Sequence, residues 1–189
     1  MKTATFVLAA ALLFGTASFA NIITYTATLG NFESPPTGSP ATGSAQITVD
    51  TVLNLMEVNV TFSGLTSGDT ASHIHCCVAQ GGNAGVATTT PTFTGFPGGV
   101  TAGSYDHVFD LTLSTSWNPA FVTASGGTTA DAEAALLAGL AGNQTYLNIH
   151  TSNFPGGEIR GFLAVAAPEP ATFFLAGAVL AGFLIRRRK

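Results

Sequence analysis

Along most of the chain, apolar and polar residues alternate. Ile23, Tyr25, Ala27 and Leu29 fall on one face of an extended segment, with Thr24, Thr26 and Thr28 on the other, which is the period of a half-buried strand. The same alternation runs through 46–50 and 54–62, where Met56, Val58, Val60 and Phe62 point inward and Glu57, Asn59 and Thr61 outward. Further strands are expected over 71–77, 105–113, 145–151 and 158–165. Gly- and Pro-rich connectors such as Ser34-Pro35-Pro36-Thr37-Gly38 and Gly95-Phe96-Pro97-Gly98-Gly99 separate them.

One stretch departs from this period. Thr128-Thr129-Ala130-Asp131 resembles a capping box, 132–141 is rich in helix formers, and Gly142 suits a left-handed C-terminal position. Short strands with one inserted helix predict an all-β, antiparallel β-sandwich, with a closed barrel as the structural alternative. The last two strands should form a hairpin across Phe154-Pro155-Gly156-Gly157. Beyond that turn Glu158 and Arg160 share a strand face, so they are expected to form a structural ion pair.

The ends follow different rules. Lys2, the apolar run from Phe6 to Phe14 and the small residues closing at Ala20 have the layout of a secretory signal peptide over 1–20, to be removed by signal peptidase. At the other end come Pro168-Glu169-Pro170, an uncharged apolar run over 171–185, and Arg186-Arg187-Arg188-Lys189. The run predicts a transmembrane helix with its basic end in the cytoplasm. These three parts in this order resemble the PEP-CTERM sorting signal of exopolysaccharide-producing Gram-negative bacteria. That resemblance implies processing by an exosortase-type enzyme, with inner-membrane anchoring first and delivery to the surface or biofilm matrix afterwards.

Between the signals lies one expected domain, 21–166, followed by the sorting segment 167–189. Its charge is lopsided: Arg160 is its one Lys or Arg, against nine carboxylates, a formal balance of −8. Nucleic-acid binding needs several cations facing phosphates, so it is excluded as a partner class. Phosphate-bearing cofactors are disfavoured for the same reason, and no GxGxxG, P-loop, GxSxG or HExxH pattern occurs. No enzymatic activity is expected. A cation or a hydroxyl-rich partner such as exopolysaccharide fits better, with Trp117 and Tyr105 as candidate stacking platforms.

Several stretches, "HIHCC", "GFPGGVTAGSYDHVFDLT", "WNPAFV" and above all "YLNIHTSNFPGGEIRGFL", resemble the CHRD domain over about Ile22 to Val165. The resemblance implies an immunoglobulin-like or superoxide-dismutase-like β-sandwich and no established bacterial activity. The leading expectation is a non-enzymatic secreted or cell-surface module of the extracellular matrix.

The segment His73-Ile74-His75-Cys76-Cys77 carries the remaining chemistry. On a strand, His73, His75 and Cys77 share one face, and His150 lies in a strand that could neighbour it. Such a nitrogen and sulfur set suits copper or zinc. The first-ranked alternative is that His73, His75 and His150 bond backbone groups and fix loops. Cys76 and Cys77 are adjacent, closer than the usual disulfide spacing, so oxidised, free and metal-bound forms all stay open. His107, between Tyr105 and Phe109, is expected to be separate.

Overall fold

The computed structural model describes residues 22–166. The expected signal peptide and the expected transmembrane helix both lie outside the described residues. Among the described residues no helix is long and apolar enough to cross a membrane.

The described residues are mostly antiparallel β-sheet, with two short helices and one 3-10 turn among them. The strands are β1 (Ile22–Leu29), β2 (Thr42–Asp50), β3 (Leu55–Ser63), β4 (Asp69–Cys76), β5 (Gly103–Asp110), β6 (Thr145–Thr151), β7 (Ile159–Phe162) and β8 (Ala164–Val165). They form a five-stranded sheet in the order β5-β3-β2-β1-β8 and a three-stranded sheet in the order β4-β6-β7. The expected last strand is therefore two. After Phe162 the chain leaves β6, buries Leu163, and pairs Ala164 and Val165 with β1 in the other sheet.

The alternating residues do what their period demands. Ile47, Val49, Met56, Val58 and Leu29 from the large sheet meet Ile74, Leu147, Ile149 and Ile159 from the small one in a single buried cluster. Each such side chain contributes about 1.5–3 kcal/mol of apolar burial, so this layer accounts for the cohesion of the sheets. Phe93, Phe96, Tyr105 and Phe109 extend it as a run of ring contacts. Trp117 and Tyr105 are 2% and 7% exposed, so neither can serve as a stacking platform for sugar.

Two helices, rather than one, join β5 to β6: α1 (Pro119–Ser125) and α2 (Thr129–Ala141). Helix α1 starts because the Asn118 side chain accepts from Ala120 N at 3.0 Å and Pro119 needs no hydrogen-bonded N–H in the first turn. Helix α2 starts as its sequence predicts, with Thr128 Oγ1 accepting from Asp131 N at 3.1 Å. Its end differs: Gly142 has φ −84°, and Asn143 takes the left-handed conformation at φ 52°. Asparagine tolerates that region, so the turn is displaced by one residue.

Candidate functional site

Strand β6 breaks the alternation seen elsewhere, because nearly every residue on both of its faces is buried. Its inward face joins the core. Its outward face, which alternation assigns to Tyr146, Asn148 and His150, should be wet but is covered by loops.

Strand register explains how this face is assembled. Across β4 and β6, His150 lies opposite Ala71, Asn148 opposite His73, and Tyr146 opposite His75. Across β6 and β7, Arg160 lies opposite Asn148 and Phe162 opposite Tyr146. One face of the small sheet thus carries His73, His75, His150, Tyr146, Asn148 and Arg160. The β6–β7 hairpin is the one expected, and it places Pro155 over His150.

The cover comes from the long segment between β4 and β5. It runs along the free edge of β4, with Cys76 N donating to Gly85 O, Ala87 N to Ile74 O and Phe93 N to Ser72 O. This lays the Ala84 and Pro91 carbonyls beside the histidines. His75 Nδ1 donates to Ala84 O at 2.9 Å, His150 Nδ1 to Pro155 O at 2.9 Å, and His73 Nε2 to Pro91 O.

A carbonyl can only accept, so each of these ring nitrogens carries the proton and the other carries a lone pair. Those others are His73 Nδ1, His75 Nε2 and His150 Nε2, all three buried and without a hydrogen-bond partner. The ring centroids lie 5.2–5.8 Å apart, and each residue brings a nitrogen within 4.8 Å of the other two. Some point then lies within about 2.8 Å of all three atoms, so an inward shift of under about 1 Å reaches the 2.0–2.1 Å of a metal–imidazole bond.

Burial pushes the pKa of all three histidines down, against the opposing effect of each backbone hydrogen bond. For His75 the value falls to about 4, with the charges of His150, His73 and Arg160 adding to the effect of burial. The imidazoles are therefore neutral at pH 7, the form that can bind a metal.

Behind His75 stands a stack. The Tyr146 ring lies 4.8 Å from the His75 ring at an interplanar angle of 7°, and the Arg160 guanidinium lies over the Tyr146 ring, 4.7 Å from its centroid. Tyr146 OH donates to Ala84 O at 3.3 Å and accepts from Ala84 N at 3.0 Å, so it also fixes the carbonyl that orients His75. A cleft of about 450 Å³ lined by His75, Tyr146, Asn83 and Pro155 opens beside the stack.

Two expectations need correction. Arg160 does not pair with Glu158: it meets Glu33 at 3.6 Å and donates to Phe32 O and Asn83 Oδ1, both at 2.7 Å. The buried Glu158 carboxylate is satisfied by Ser39, Thr66 and Thr151 instead. Shared strand faces bring two side chains near each other, but donors from distant loops decided both pairings.

Cys77 is not a member of the histidine group. Strand β4 ends at Cys76, so the alternation that would place Cys77 beside His75 stops short of it. Its sulfur is bonded to that of Cys76 and lies 3.6 Å from Ala135 O, against helix α2. His107 is separate, as expected, and packs on Tyr105 and Phe109 in the large sheet. The sequence reading missed Tyr146, Asn148 and Glu33. The polar alternation Tyr146, Asn148, His150 opposite Arg160 was the available signal.

Two antiparallel sheets with a loop-covered imidazole cluster on the smaller one define an all-β module whose polar chemistry is internal. The CHRD domain matches residues 25–163, and the chain belongs to that family. The PEP-CTERM protein-sorting motif matches residues 166–189 and marks an exported protein of Gram-negative bacteria, sorted to the surface with exosortase processing. No curated protein and no solved structure matches the chain.

Proposed function

We propose that this is a surface-delivered binding module, rather than an enzyme, whose His73, His75 and His150 hold one copper or zinc ion. One observation supports the reading: three neighbouring imidazoles each bring a ring nitrogen within 4.8 Å of the other two, and each ring carries one buried nitrogen without a partner while its other nitrogen is fixed on a backbone carbonyl. A histidine that only fixes a loop has no need of a second buried nitrogen left bare. Leaving such an atom unsatisfied costs about 1–3 kcal/mol, and three such atoms on neighbouring rings are accounted for together by a shared partner. Orientation by a backbone carbonyl is the usual outer contact of a metal-binding histidine.

The sorting motif supports delivery to the cell surface, and an exopolysaccharide-rich matrix there is part of the proposal. There a neutral, preformed nitrogen site would capture or store metal. Direct polysaccharide recognition is the weaker reading, since its two candidate aromatics are in the core. Metal analysis of the purified protein after exposure to copper or zinc tests the proposal. One equivalent per chain is expected, lost in His73→Ala and His150→Ala. Absence of stoichiometric metal in the unaltered protein would end it.

A further inference from the structure

We infer that the ion this site prefers is monovalent copper. The inference rests on the metal reading above and adds the oxidation state, which the charges around the triad decide.

The donor set is three neutral imidazoles, and among the described residues no carboxylate or thiolate joins the group. The ligands therefore cancel none of the ion's charge. The formal charge nearest through the contacts is also positive: Arg160 stands over Tyr146, and Tyr146 stacks on His75. Glu33 offsets that charge in part, but it lies on the guanidinium, at 3.6 Å, and not on the imidazoles. The three lone-pair nitrogens are themselves out of contact with solvent.

The cost of burying an ion grows as the square of its charge, so a dication costs about four times as much as a monocation in the same surroundings. Copper(II) and zinc(II) would each retain a double charge here. Copper(I) retains a single one. Coordination number points the same way. A zinc site with three protein ligands takes a water or other ligand in its fourth position. Copper(I) is stable with three nitrogens in a plane, and three are what the protein provides. Zinc has one route around this, a hydroxide drawn from the adjoining cleft, so the preference must be measured directly.

The test compares ions on the full chain, purified in detergent. Cuprous ion is offered anaerobically with ascorbate, which keeps copper monovalent and leaves the Cys76–Cys77 bond intact, in competition with a cuprous chelator. Zinc(II) and copper(II) are titrated separately against chelators of known affinity. The inference expects one cuprous ion per chain, bound at least 100-fold more tightly than zinc. It also expects binding to survive Cys76→Ser/Cys77→Ser and to be lost in His150→Ala. Equal or tighter zinc or copper(II) binding, abolished by the same histidine substitution, would overturn the preference and leave the triad reading standing. Binding of no ion would overturn both. Cuprous binding that follows the cysteines rather than the histidines would overturn the preference. Should His150→Ala fail to fold, the comparison of ions on the unaltered chain still decides the preference.

Discussion

Glu158 offers a sharp test of how the framework under the site is held. Its carboxylate is fully buried, and Arg160, the cation two residues along, is engaged elsewhere. Oε1 accepts from Ser39 Oγ at 2.6 Å and Thr66 N at 2.7 Å; Oε2 accepts from Thr66 Oγ1 at 3.1 Å and Thr151 Oγ1 at 2.7 Å. One side chain thus ties the start of β7 to β6, to the β3–β4 loop and to the approach to β2. Burial alone would raise its pKa, but these hydrogen bonds outweigh burial and hold it below its ordinary value of 4.5. The folded state therefore favours the ionised form on balance. Glu158→Gln keeps the shape and removes the charge. The three hydroxyls can turn to suit an amide, but the Thr66 N–H cannot. Each charge-assisted bond weakens by about 1 kcal/mol, and the burial cost relieved returns part of the sum, so a net loss of about 2 kcal/mol is expected. For a domain of this size that lowers the thermal midpoint by about 4–8 °C at pH 7, read by circular dichroism. The pH dependence has a definite sign. A depressed folded pKa gives stability that is complete above 4.5 and is lost as pH falls towards the folded value. The gap between wild type and Glu158→Gln should narrow as pH drops below 4.5. Equal midpoints at pH 7, or a gap that widens in acid, would refute the reasoning.

Three other outcomes follow from the contacts. His75→Phe preserves the stack on Tyr146 and removes a bare buried nitrogen, while Ala84 O retains the Tyr146 hydroxyl; the metal-free stability should hold or rise by up to about 2 kcal/mol, read as an unchanged or higher midpoint, as metal binding vanishes. A clear fall in that midpoint would mark His75 as framework. In double-mutant cycles on thermal stability, Arg160→Met should couple to Glu33→Gln by about 1–3 kcal/mol and to Glu158→Gln by under about 0.5, and the reverse ranking would restore the pairing read from the sequence. Gly139→Ala adds a Cβ that would sit 2.5 Å from Cys76 Sγ and 2.6 Å from Cys77 Sγ; overpacking of about 1–3 kcal/mol should exceed the helix gain of about 1 kcal/mol, and a higher midpoint would contradict that contact.

What the sequence disclosed depended on whether a local period existed to be read. Strands β1 and β3 have one buried face each, so Tyr25 and Leu29, or Met56, Val58 and Val60, could be placed from alternation. Helix α1 carried a local signal too, the Asn118-Pro119 pair, which is an N-cap followed by a proline at the first helical position. Strand β6 had no such period, since a face covered by distant loops is buried without being apolar. The covering segment itself has no repeat. Ala84, Pro91 and Pro155 act through carbonyls, which every residue possesses, so no side-chain pattern could announce them.

That limit bears on how the histidines should be weighed. From the sequence, hydrogen bonding to the backbone and metal binding were competing explanations of His73, His75 and His150. The structure contains the hydrogen bonds, which taken singly would favour the framework. Yet an imidazole has two nitrogens, and a carbonyl that takes the proton on one leaves a lone pair on the other. On an exposed histidine, water would satisfy that lone pair. Here all three lie buried on rings that each bring a nitrogen within 4.8 Å of the other two, so the backbone bonds that looked like the rival explanation are compatible with the proposed metal site, because each leaves the second nitrogen of its ring free to accept.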